Sequence, residues 1–328
     1  MYNFYQSTIR KTINKDITHK PVGDISLFWK EYQYIIWEKK KRWISMNRIQ
    51  ILWIENITWY TYKQWQWELV TLIKKHNPIF IQLWSIDILS SYTRDELKNE
   101  NILSQAKKIH YKMIDNMKQL WFQPSIKENL PPSTYIIDLF SDWGKNMSGQ
   151  HTTKIKKARK NSITISQATT QDFDIAYNLL KKTGQGKGFW VVSQKSYNDI
   201  ANYFTKNNTW TIYVAKIDSK IVAMAMYVKD YVNKTAIYLY GWTDRSFSNR
   251  WASHLLHIEA YKMLQKEWFQ TIDLLGWWPT WFPKHKLSSV SVFKEWFGWQ
   301  KIDYIWSYDI VYKPIIYKIR IIMRSLFH

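Results

Sequence analysis

Cationic side chains gather on one short segment of this chain, Lys154-Ile155-Lys156-Lys157-Ala158-Arg159-Lys160. Ammonium groups bind phosphate as point charges, and a guanidinium binds it through two parallel hydrogen bonds. The segment predicts contact with phosphate groups or a tRNA backbone by four of its side chains, Lys154, Lys156, Lys157 and Arg159. The alternative is a basic, solvated face of a helix.

Histidines form the second set of residues that could do chemistry. His254 and His257 are three residues apart, which would place both on one face of a helix. No His-Glu-x-x-His pattern and no nearby third ligand accompany them, so we predict no metal site and expect core or surface histidines. His285, in a loop rich in Gly and Pro, is a candidate acid–base group.

Length and composition bound the class of protein. The 328 residues predict about two domains. The absence of cysteine excludes disulfides, thiolate-bound metals and a cysteine nucleophile. The net charge of +21 indicates a polyanionic partner, such as nucleic acid, a nucleotide-linked substrate or an anionic membrane surface. The alternative is a lysine-rich surface that reflects an AT-rich gene. With no apolar signal region and no run near the ~18 apolar residues of a membrane span, we predict a cytoplasmic protein.

The elements that must position these residues alternate between strands and helices. In the first part of the chain, apolar patterns predict strands and helices near Arg48–Leu52, Glu68–His76, Ile79–Leu83, Ile102–Leu120 and Tyr135–Leu139. In the second part, a basic helix precedes three strands, TIYVAK, IVAMAMYVKD and KTAIYLYGW, and then a helix at Ser253–Glu267. Strands are also predicted at Thr271–Leu275, around VFKEWFGWQ and at YIWSYDIV.

This order of elements predicts an α/β (α+β) fold with two GNAT-like acyltransferase domains. Each domain would hold a mixed, mostly antiparallel sheet flanked by helices. We place the first domain at residues 1–144 plus 311–328 and the second at residues 145–310. The basic, apolar tail would pack back on the first domain as a helix or strand. The alternative is an interfacial helix that brings the protein into peripheral contact with the inner face of the membrane.

The segment before the central helix bears on the acyl donor. GNAT enzymes that use acetyl-CoA carry the pattern Gln/Arg-x-x-Gly-x-Gly/Ala there, and its backbone N–H groups hold the pyrophosphate. The corresponding segment here is DRSFSNRWASHLL, which lacks that spacing. An acetyl-CoA enzyme is therefore disfavoured.

Tryptophan is abundant and glycine is scarce, with 21 Trp against 9 Gly. Average glycine use of ~7% would give roughly 23 glycines in a chain of this length. We hypothesise that many of these tryptophans are glycines in the native protein, encoded by UGA codons that the organism reads as glycine. The alternative is a Trp-rich surface that binds carbohydrate or a membrane interface.

The hypothesis of hidden glycines is most specific at two predicted helix ends. The helices stop at Trp121-Phe122 and at Trp268-Phe269. A helix that ends in a left-handed residue favours Gly there, followed by an apolar residue that packs back. The same replacement would turn LLGWWPTWFPKHK into a glycine-rich loop.

Several segments together resemble the Fem family of peptidoglycan-bridge aminoacyltransferases. They are Asn146-Met147-Ser148 with the basic helix after it, YLYGWTDRSFSN, KEWFQTIDLLG, VFKEWFGWQ and SYDIVYKPIIYK. The resemblance runs from about Ile102 to Lys318. It is sharpest at FKEWFGW, where the family pattern is Phe-Lys-x-Gly-Phe-Gly-Gly and two family glycines fall on Trp296 and Trp299.

The resemblance implies an enzyme that moves an aminoacyl group from a charged tRNA to the stem-peptide amine of a cell-wall precursor. That precursor is lipid II or UDP-MurNAc-pentapeptide, and aminoacyl-tRNA is a co-substrate, with no other cofactor. The motif match makes Lys294 the residue that stabilises the tetrahedral oxyanion and Phe293 the residue that packs beside it and orients the site. The alternative is that the two are an ordinary in/out pair on a strand.

The chain departs from the family at its substrate contacts. Val192 stands where members often have an arginine that meets substrate phosphate, so Lys187 or Lys195 would have to substitute. A lysine of the first domain also contacts this phosphate in the family, and the candidates here are Lys39, Lys40 and Lys41.

A second departure lies in the segment FIQLW. Gln82 and Trp84 stand where the family tends to have an arginine and an acidic residue, and Asp87 is the nearby candidate carboxylate. Two other functions fit the residues. One is a GNAT-fold acyltransferase acting on another amine, and the other is a non-catalytic protein that binds tRNA or the cell envelope.

Overall fold

The computed structural model of the chain describes residues 22–27, 30–37, 40–41, 44–45, 47–54, 57–85, 87–125, 133–144, 147, 149–169, 172–175, 177–178, 181, 193–195, 197–198, 206, 208–276, 293–297, 300–305 and 307–327. They fall into two compact units. Unit 1 contains the described residues of 1–91, 95–132 and 302–328, and unit 2 contains those of 92–94 and 133–301.

The strands, in chain order, are β1 (Val22–Leu27), β2 (Lys30–Trp37), β3 (Lys40–Lys41), β4 (Ile44–Ser45), β5 (Arg48–Ile54), β6 (Phe80–Ser85), β7 (Ile88–Thr93), β8 (Gln123–Pro124), β9 (Ser133–Asp138), β10 (Thr164–Gln167), β11 (Trp210–Ile217), β12 (Lys220–Asp230), β13 (Thr235–Thr243), β14 (Thr271–Asp273), β15 (Gln300–Tyr304) and β16 (Ser307–Val311). The α-helices are α1 (Tyr62–His76), α2 (Glu100–Gln119), α3 (Gly149–Arg159), α4 (Ala252–Lys266) and α5 (Pro314–Phe327). Two of the crossings between the units fall within strands, one in β7 and one in β15.

Unit 1 is built on a six-stranded sheet in the order β1-β2-β5-β6-β16-β8. Strands β5 and β6 are parallel, and the other neighbours are antiparallel. Helix α1 begins at Tyr62, before the predicted Glu68, because Thr61 and Gln64 form a capping box. The Gln64 side chain accepts the Thr61 N–H at 2.7 Å, and the Thr61 hydroxyl accepts the Gln64 N–H.

The core of unit 1 lies under one face of α1. Trp65, Leu69 and Leu72 are buried there among side chains of the sheet. The ring of Trp65 meets that of Phe122 edge-on at 5.8 Å. Phe122 lies three residues after the end of α2, and its N–H donates to the Met117 carbonyl of that helix, so the residue that closes the helix stop also packs in the core.

Unit 2 holds a sheet in the order β10-β11-β12-β13-β14-β9. Its neighbours are antiparallel except β13 and β14, which are parallel. Strand β12 is buried along almost its whole length, and helix α4 packs against it and against α3. Leu255, Leu256, Ala260 and Leu264 are among the α4 residues buried in this way. The mixed α/β fold with two such units confirms the predicted fold class.

One predicted strand is wrong. The segment around VFKEWFGWQ was expected to be extended, but Phe293–Glu295 are helical and Trp296–Phe297 form a turn, with β15 starting only at Gln300. The strand alternative for Phe293 and Lys294 therefore fails. A helical turn places Lys294 and Phe297 three residues apart on one face, and both are buried.

The tail forms helix α5, which packs on unit 1. The ring of Tyr317 meets that of Phe80 edge-on at 5.2 Å, and both residues are buried. Within the described residues, no helix combines the length and the apolar character that crossing a membrane requires.

Candidate active site

The sheet of unit 2 opens between β13 and β14. These parallel strands pair only over Thr235–Ile237 and Thr271–Asp273. Strand β13 continues to Thr243 beside β12, and its register with β12 shifts between Tyr238 and Tyr240. The two strands therefore part at their carboxyl ends, which is where α/β sheets bind ligands.

Lys294 brings an ammonium group to this opening. Its Nζ donates to the carbonyl oxygen of Gly276 at 3.0 Å and to that of Leu275, both directly after β14. The same Nζ lies 5.5 Å from the centre of the Tyr238 ring on β13. Burial lowers the pKa of Lys294 to about 8, although the carboxylate of Asp273 acts in the opposite direction. The group is therefore mainly charged at neutral pH, in a place that excludes most water.

Asp273 shapes the backbone that Lys294 touches. Its Oδ1 accepts the N–H of Leu275 at 2.8 Å and the hydroxyl of Thr134 on β9. Leu275 and Gly276 both have left-handed φ angles, so the chain turns sharply and presents its carbonyl oxygens to Lys294. Burial raises the pKa of the Asp273 carboxyl, whereas the two hydrogen bonds and the charge of Lys294 lower it.

Phe293 packs the other side of the helical turn onto α4. Its ring lies 5.2 Å from that of His254, 5.5 Å from that of His257 and 5.0 Å from that of Phe297. His254 and His257 are both buried, at the spacing that placed them on one helix face. The histidines thus form part of the wall that holds the Lys294 turn in place. No group of three or more His, Cys, Asp or Glu side chains in the described part of the chain is arranged to hold a metal ion.

A buried hydrogen bond fixes His257. The hydroxyl of Tyr227 on β12 lies 2.6 Å from His257 Nδ1, and the His257 ring packs on that of Tyr238 at 4.7 Å. Burial lowers the pKa of His257 to about 3, and the nearby Lys294, His254 and His151 contribute. Burial likewise raises the pKa of Tyr227. The pair is neutral at pH 7, so the positive charge at the opening comes from Lys294.

A second lysine lies near His254, on the side of the histidines away from Lys294. Lys154 Nζ, on α3, is 3.8 Å from the centre of the Trp296 ring and 4.7 Å from that of Trp251. Burial lowers the pKa of Lys154. The ring of His151, one turn earlier, lies at a tilt 4.8 Å from that of His254. The structure thus brings Lys154 and Lys294 to opposite ends of one buried cluster in unit 2.

The other predicted phosphate contacts are more scattered. Lys156 and Lys157 are exposed on α3, and Arg159 pairs with Glu259 of α4 at 3.0 Å. Lys195 is also exposed. Several predicted positions lie outside the described residues or have side chains outside them, namely Lys39, Lys40, Lys41, Lys187, Val192, His285 and Trp299.

The unit 1 positions that depart from the family have local structural partners. Gln82 is buried on β6 and accepts a hydrogen bond from the side chain of Gln50 on β5. Trp84, on the same strand, is also buried. Asp87 accepts the N–H of Ile57 at 3.0 Å. These contacts fix loops and strands within unit 1.

Three residues of the opening were missed from the sequence: Tyr227, Tyr238 and Asp273. An acidic residue inside the otherwise apolar predicted strand TIDLL was a usable signal for Asp273. Nothing local marks the two tyrosines, because they meet through the pairing of Tyr227 with Tyr238 across β12 and β13.

Comparison with known proteins supports a specific family. Residues 62–222 match the FemAB family. The chain is similar to the crystal structure of FemX, with a TM-score of 0.68 and 12% identity over 97% of this chain and 94% of that one. A tandem GNAT protein from the clavulanic acid pathway gives a TM-score of 0.48 and 9% identity, covering 88% and 82% of the two chains. L-PGS from Bacillus licheniformis gives 0.48 and 10%, covering 99% and 98%. No curated protein sequence matches the chain.

Two mixed α/β units, one of which opens around a buried lysine, form a fold that is similar to that of FemX. The family match makes the identification more specific. The chain is an enzyme of acyl transfer: its residues 62–222, just under half of it, match the FemAB family, which supports the kind of function of the peptidoglycan-bridge aminoacyltransferases.

Proposed function

We propose that this protein transfers an amino acid from aminoacyl-tRNA to the stem-peptide amine of a peptidoglycan precursor. The acceptor is lipid II or UDP-MurNAc-pentapeptide, and the reaction takes place in the cytoplasm. The observation that carries the proposal is the Lys294 ammonium, buried and held by the Leu275 and Gly276 carbonyl oxygens where β13 and β14 part.

The reaction requires little of the protein beyond positioning the ester and the amine and supplying a positive charge near the oxyanion. The lone pair of the acceptor amine attacks the ester carbonyl carbon, and a C–N bond forms as the carbonyl oxygen becomes an oxyanion. The C–O bond to the tRNA ribose then breaks, and the proton lost by the amine ends on the ribose hydroxyl. A positioned ammonium that stabilises the oxyanion is the type of group that lowers this barrier.

Two features support a tRNA co-substrate. The chain has a net charge of +21, which favours association with a polyanion. Helix α3 also presents Lys156 and Lys157 to solvent. The Lys154 Nζ on the same helix lies 4.7 Å from the centre of the Trp251 ring, directly before α4. Phosphate contacts on such a surface would weaken steeply as salt rises.

The activity test separates the proposed reaction from its two alternatives. The purified protein is incubated with a mixture of charged tRNAs or with acetyl-CoA, in each case with UDP-MurNAc-pentapeptide and, in parallel, with lipid II as the acceptor. Amide formation from charged tRNA alone is expected. Transfer from acetyl-CoA would instead indicate a GNAT-type N-acyltransferase, and tRNA binding without any product would indicate a non-catalytic binder. Either of these results would overturn the proposal.

A further inference from the structure

Three tryptophans in the described part of the chain occupy a backbone conformation that tryptophan avoids. The φ angles of Trp121, Trp251 and Trp268 are 65°, 58° and 67°. In this left-handed region the Cβ atom crowds the following carbonyl oxygen, which costs roughly 1–2 kcal/mol. A bulky residue found there is a genuine outlier, whereas glycine adopts the conformation freely.

Hydrogen bonds show that two of these positions require the conformation. At the end of α2, the Trp121 N–H donates to the Lys118 carbonyl at 2.9 Å and the Phe122 N–H donates to that of Met117 at 3.0 Å. This pair of bonds is the Schellman motif, whose turn residue is usually glycine.

The end of α4 repeats the motif. The Trp268 N–H donates to the Gln265 carbonyl at 3.0 Å, and the Phe269 N–H donates to that of Leu264 at 3.1 Å. Phe269 and Leu264 are both fully buried, as are Phe122 and Met117 at the end of α2. The two units therefore stop a helix in the same way at a Trp-Phe pair.

Two of these indole rings remain largely in solvent, although that of Trp121 stacks on the ring of Tyr62 at 6.0 Å. Trp121 is 73% exposed and Trp268 is 74% exposed. By contrast, Trp65, Trp84 and Trp210 are buried, and none of them is among the described residues with positive φ. The described tryptophans thus include buried ones that pack as tryptophan and three that stand where glycine is favoured.

We infer that residues 121, 251 and 268 are glycines in the protein that the cell makes. The shortage of glycine in the sequence has the same explanation, a UGA codon that is read as glycine. The backbone of Trp296 makes no such demand, since its φ is not left-handed. Glycine at 251 would also remove the ring that lies 4.7 Å from Lys154 Nζ, opening a path to that ammonium for substrate phosphate if the proposed function holds.

The gene and the native protein give the direct test. We expect UGA codons at 121, 251 and 268 and a UGG codon at the buried Trp65. Peptide mass spectrometry of the protein purified from its own cells should show glycine at the first three positions and tryptophan at the fourth. UGG codons at 121, 251 and 268 would overturn the inference, whatever the enzyme's activity.

The stability of variants gives an independent test. We expect Trp121→Gly and Trp268→Gly each to raise the melting temperature by roughly 2–4 °C, because they relieve left-handed strain. The matched control is Trp67→Gly. Trp67 is 77% exposed but lies inside α1, where glycine weakens a helix, so its melting temperature should fall. A fall in all three variants would overturn the inference.

A separate observation concerns helix α5, which is apolar on two opposite faces. Tyr317 and Ile321 face the core of unit 1. Ile315, Ile319 and Ile322 are 75%, 45% and 58% exposed. Their spacing of four and three residues aligns them on the side of the helix away from that core. These three residues form what we call the outer face of α5.

The side chains that border the outer face are cationic or neutral. Lys318 is exposed on this side, one turn from both Ile315 and Ile322, and α5 carries no Asp or Glu. Arg320 turns inward, with its guanidinium 4.5 Å from the centre of the Phe80 ring. An apolar stripe with a cationic border suits the interface of an anionic bilayer. The geometry points to an anionic lipid surface as the partner of the outer face.

Vesicle sedimentation tests this surface. The full protein should sediment with phosphatidylcholine vesicles that contain phosphatidylglycerol and remain in solution with phosphatidylcholine alone. The double variant Ile315→Glu/Ile319→Glu should lose at least tenfold in partitioning. The control Ile109→Glu/Val232→Glu adds the same charge at exposed apolar positions elsewhere and should sediment normally.

Three results would overturn the lipid proposal. The first is failure of the unchanged protein to bind the anionic vesicles. The second is an equal loss of vesicle partitioning in both double variants. The third is a dimer, detected by light scattering, that only the α5 variant dissociates. The last result would make the outer face a contact between two copies of the chain. Circular dichroism of each variant confirms that its fold is intact.

Discussion

A Cβ atom on Gly241 would stand 1.8 Å from the hydroxyl oxygen of Tyr238 and 2.8 Å from the ring carbon that carries it. Real Cβ contacts are never that short, so the tyrosine occupies the space that any larger residue at 241 would need. The Tyr238 ring in turn lies against His257 and below the Lys294 ammonium. Glycine at 241 therefore sets the position of a ring at the edge of the candidate site.

The variant Gly241→Ala should displace Tyr238 and disturb Lys294. We expect turnover to fall by about 10- to 100-fold, since small misplacements at a site that works by positioning are costly. Adding Tyr238→Phe removes the atom of closest contact and should restore part of the loss. Measurement of kcat and KM for the single and double variants checks this, and additive losses would contradict it.

Replacement of Lys294 tests the charge itself. We expect Lys294→Met to lower kcat by about 10²–10³, the usual effect of losing an oxyanion-stabilising donor. Binding of charged tRNA should be retained. Lys294→Arg keeps the charge and should retain more activity than Lys294→Met. Equal activity of Lys294→Met and the unchanged protein would remove Lys294 from the mechanism.

The pH dependence of activity should report the same group. Burial lowers the pKa of Lys294 to about 8, so its ammonium is lost as pH rises through that value. We expect kcat/KM to decline above pH 8, on top of any rise caused by deprotonation of the acceptor amine. The decline should be absent in Lys294→Arg, because a guanidinium keeps its proton throughout this range. Profiles of the two proteins from pH 6 to 10 make the comparison.

Asp309 should govern the acid stability of unit 1. Its carboxylate accepts hydrogen bonds from Ser125 at 2.5 Å and Tyr317 at 2.7 Å, and burial raises its pKa from 3.8 to about 6. Between those two values the folded protein holds a proton that the unfolded chain has lost. The free energy of unfolding should therefore decrease as pH rises from 4 to 6, by about 3 kcal/mol in total.

Two variants test this assignment by denaturant titrations at several pH values. Asp309→Asn should abolish the decrease between pH 4 and 6. Ser125→Ala removes a hydrogen bond that holds the pKa of Asp309 down, so the decrease should extend to higher pH. A slope that survives in Asp309→Asn would assign it to another group.

An ion pair in unit 2 with a buried lysine allows a comparison with a pair in which both side chains are exposed. Lys229 Nζ lies 2.6 Å from Glu267 Oε2, and the lysine side chain is 4% exposed while that of the glutamate is 38% exposed. Glu267→Gln should lower the free energy of unfolding by about 1–3 kcal/mol, because it leaves a buried ammonium without its counter-charge. The Asp95→Asn variant of the exposed pair with Lys98 should have almost no effect. Similar decreases in the free energy of unfolding for Glu267→Gln and Asp95→Asn would contradict this prediction.

The sequence was a good guide wherever the periodicity of one element decides its structure. Helices α2 and α4 fall within two residues of their predicted bounds, and the three-strand run β11 to β13 was recognised from its apolar segments. Prediction failed at Phe293–Glu295, where a short apolar run is compatible with either a strand or a helix. In the helical conformation seen in the structure, Phe293 and Phe297 both contact α4.

The chain by itself determined the class of its elements, its positive charge, its lack of cysteine chemistry and the helix stops at Trp121 and Trp268. These follow from composition and from residues close in sequence, whose physical demands are local. Only the tertiary structure decided which side chains meet Lys294. Tyr238, Asp273 and His257 reach it from a bulged strand, a strand end and a helix far apart in sequence. Burial then moves its pKa toward neutrality, because desolvation acts only once the packed surroundings exist.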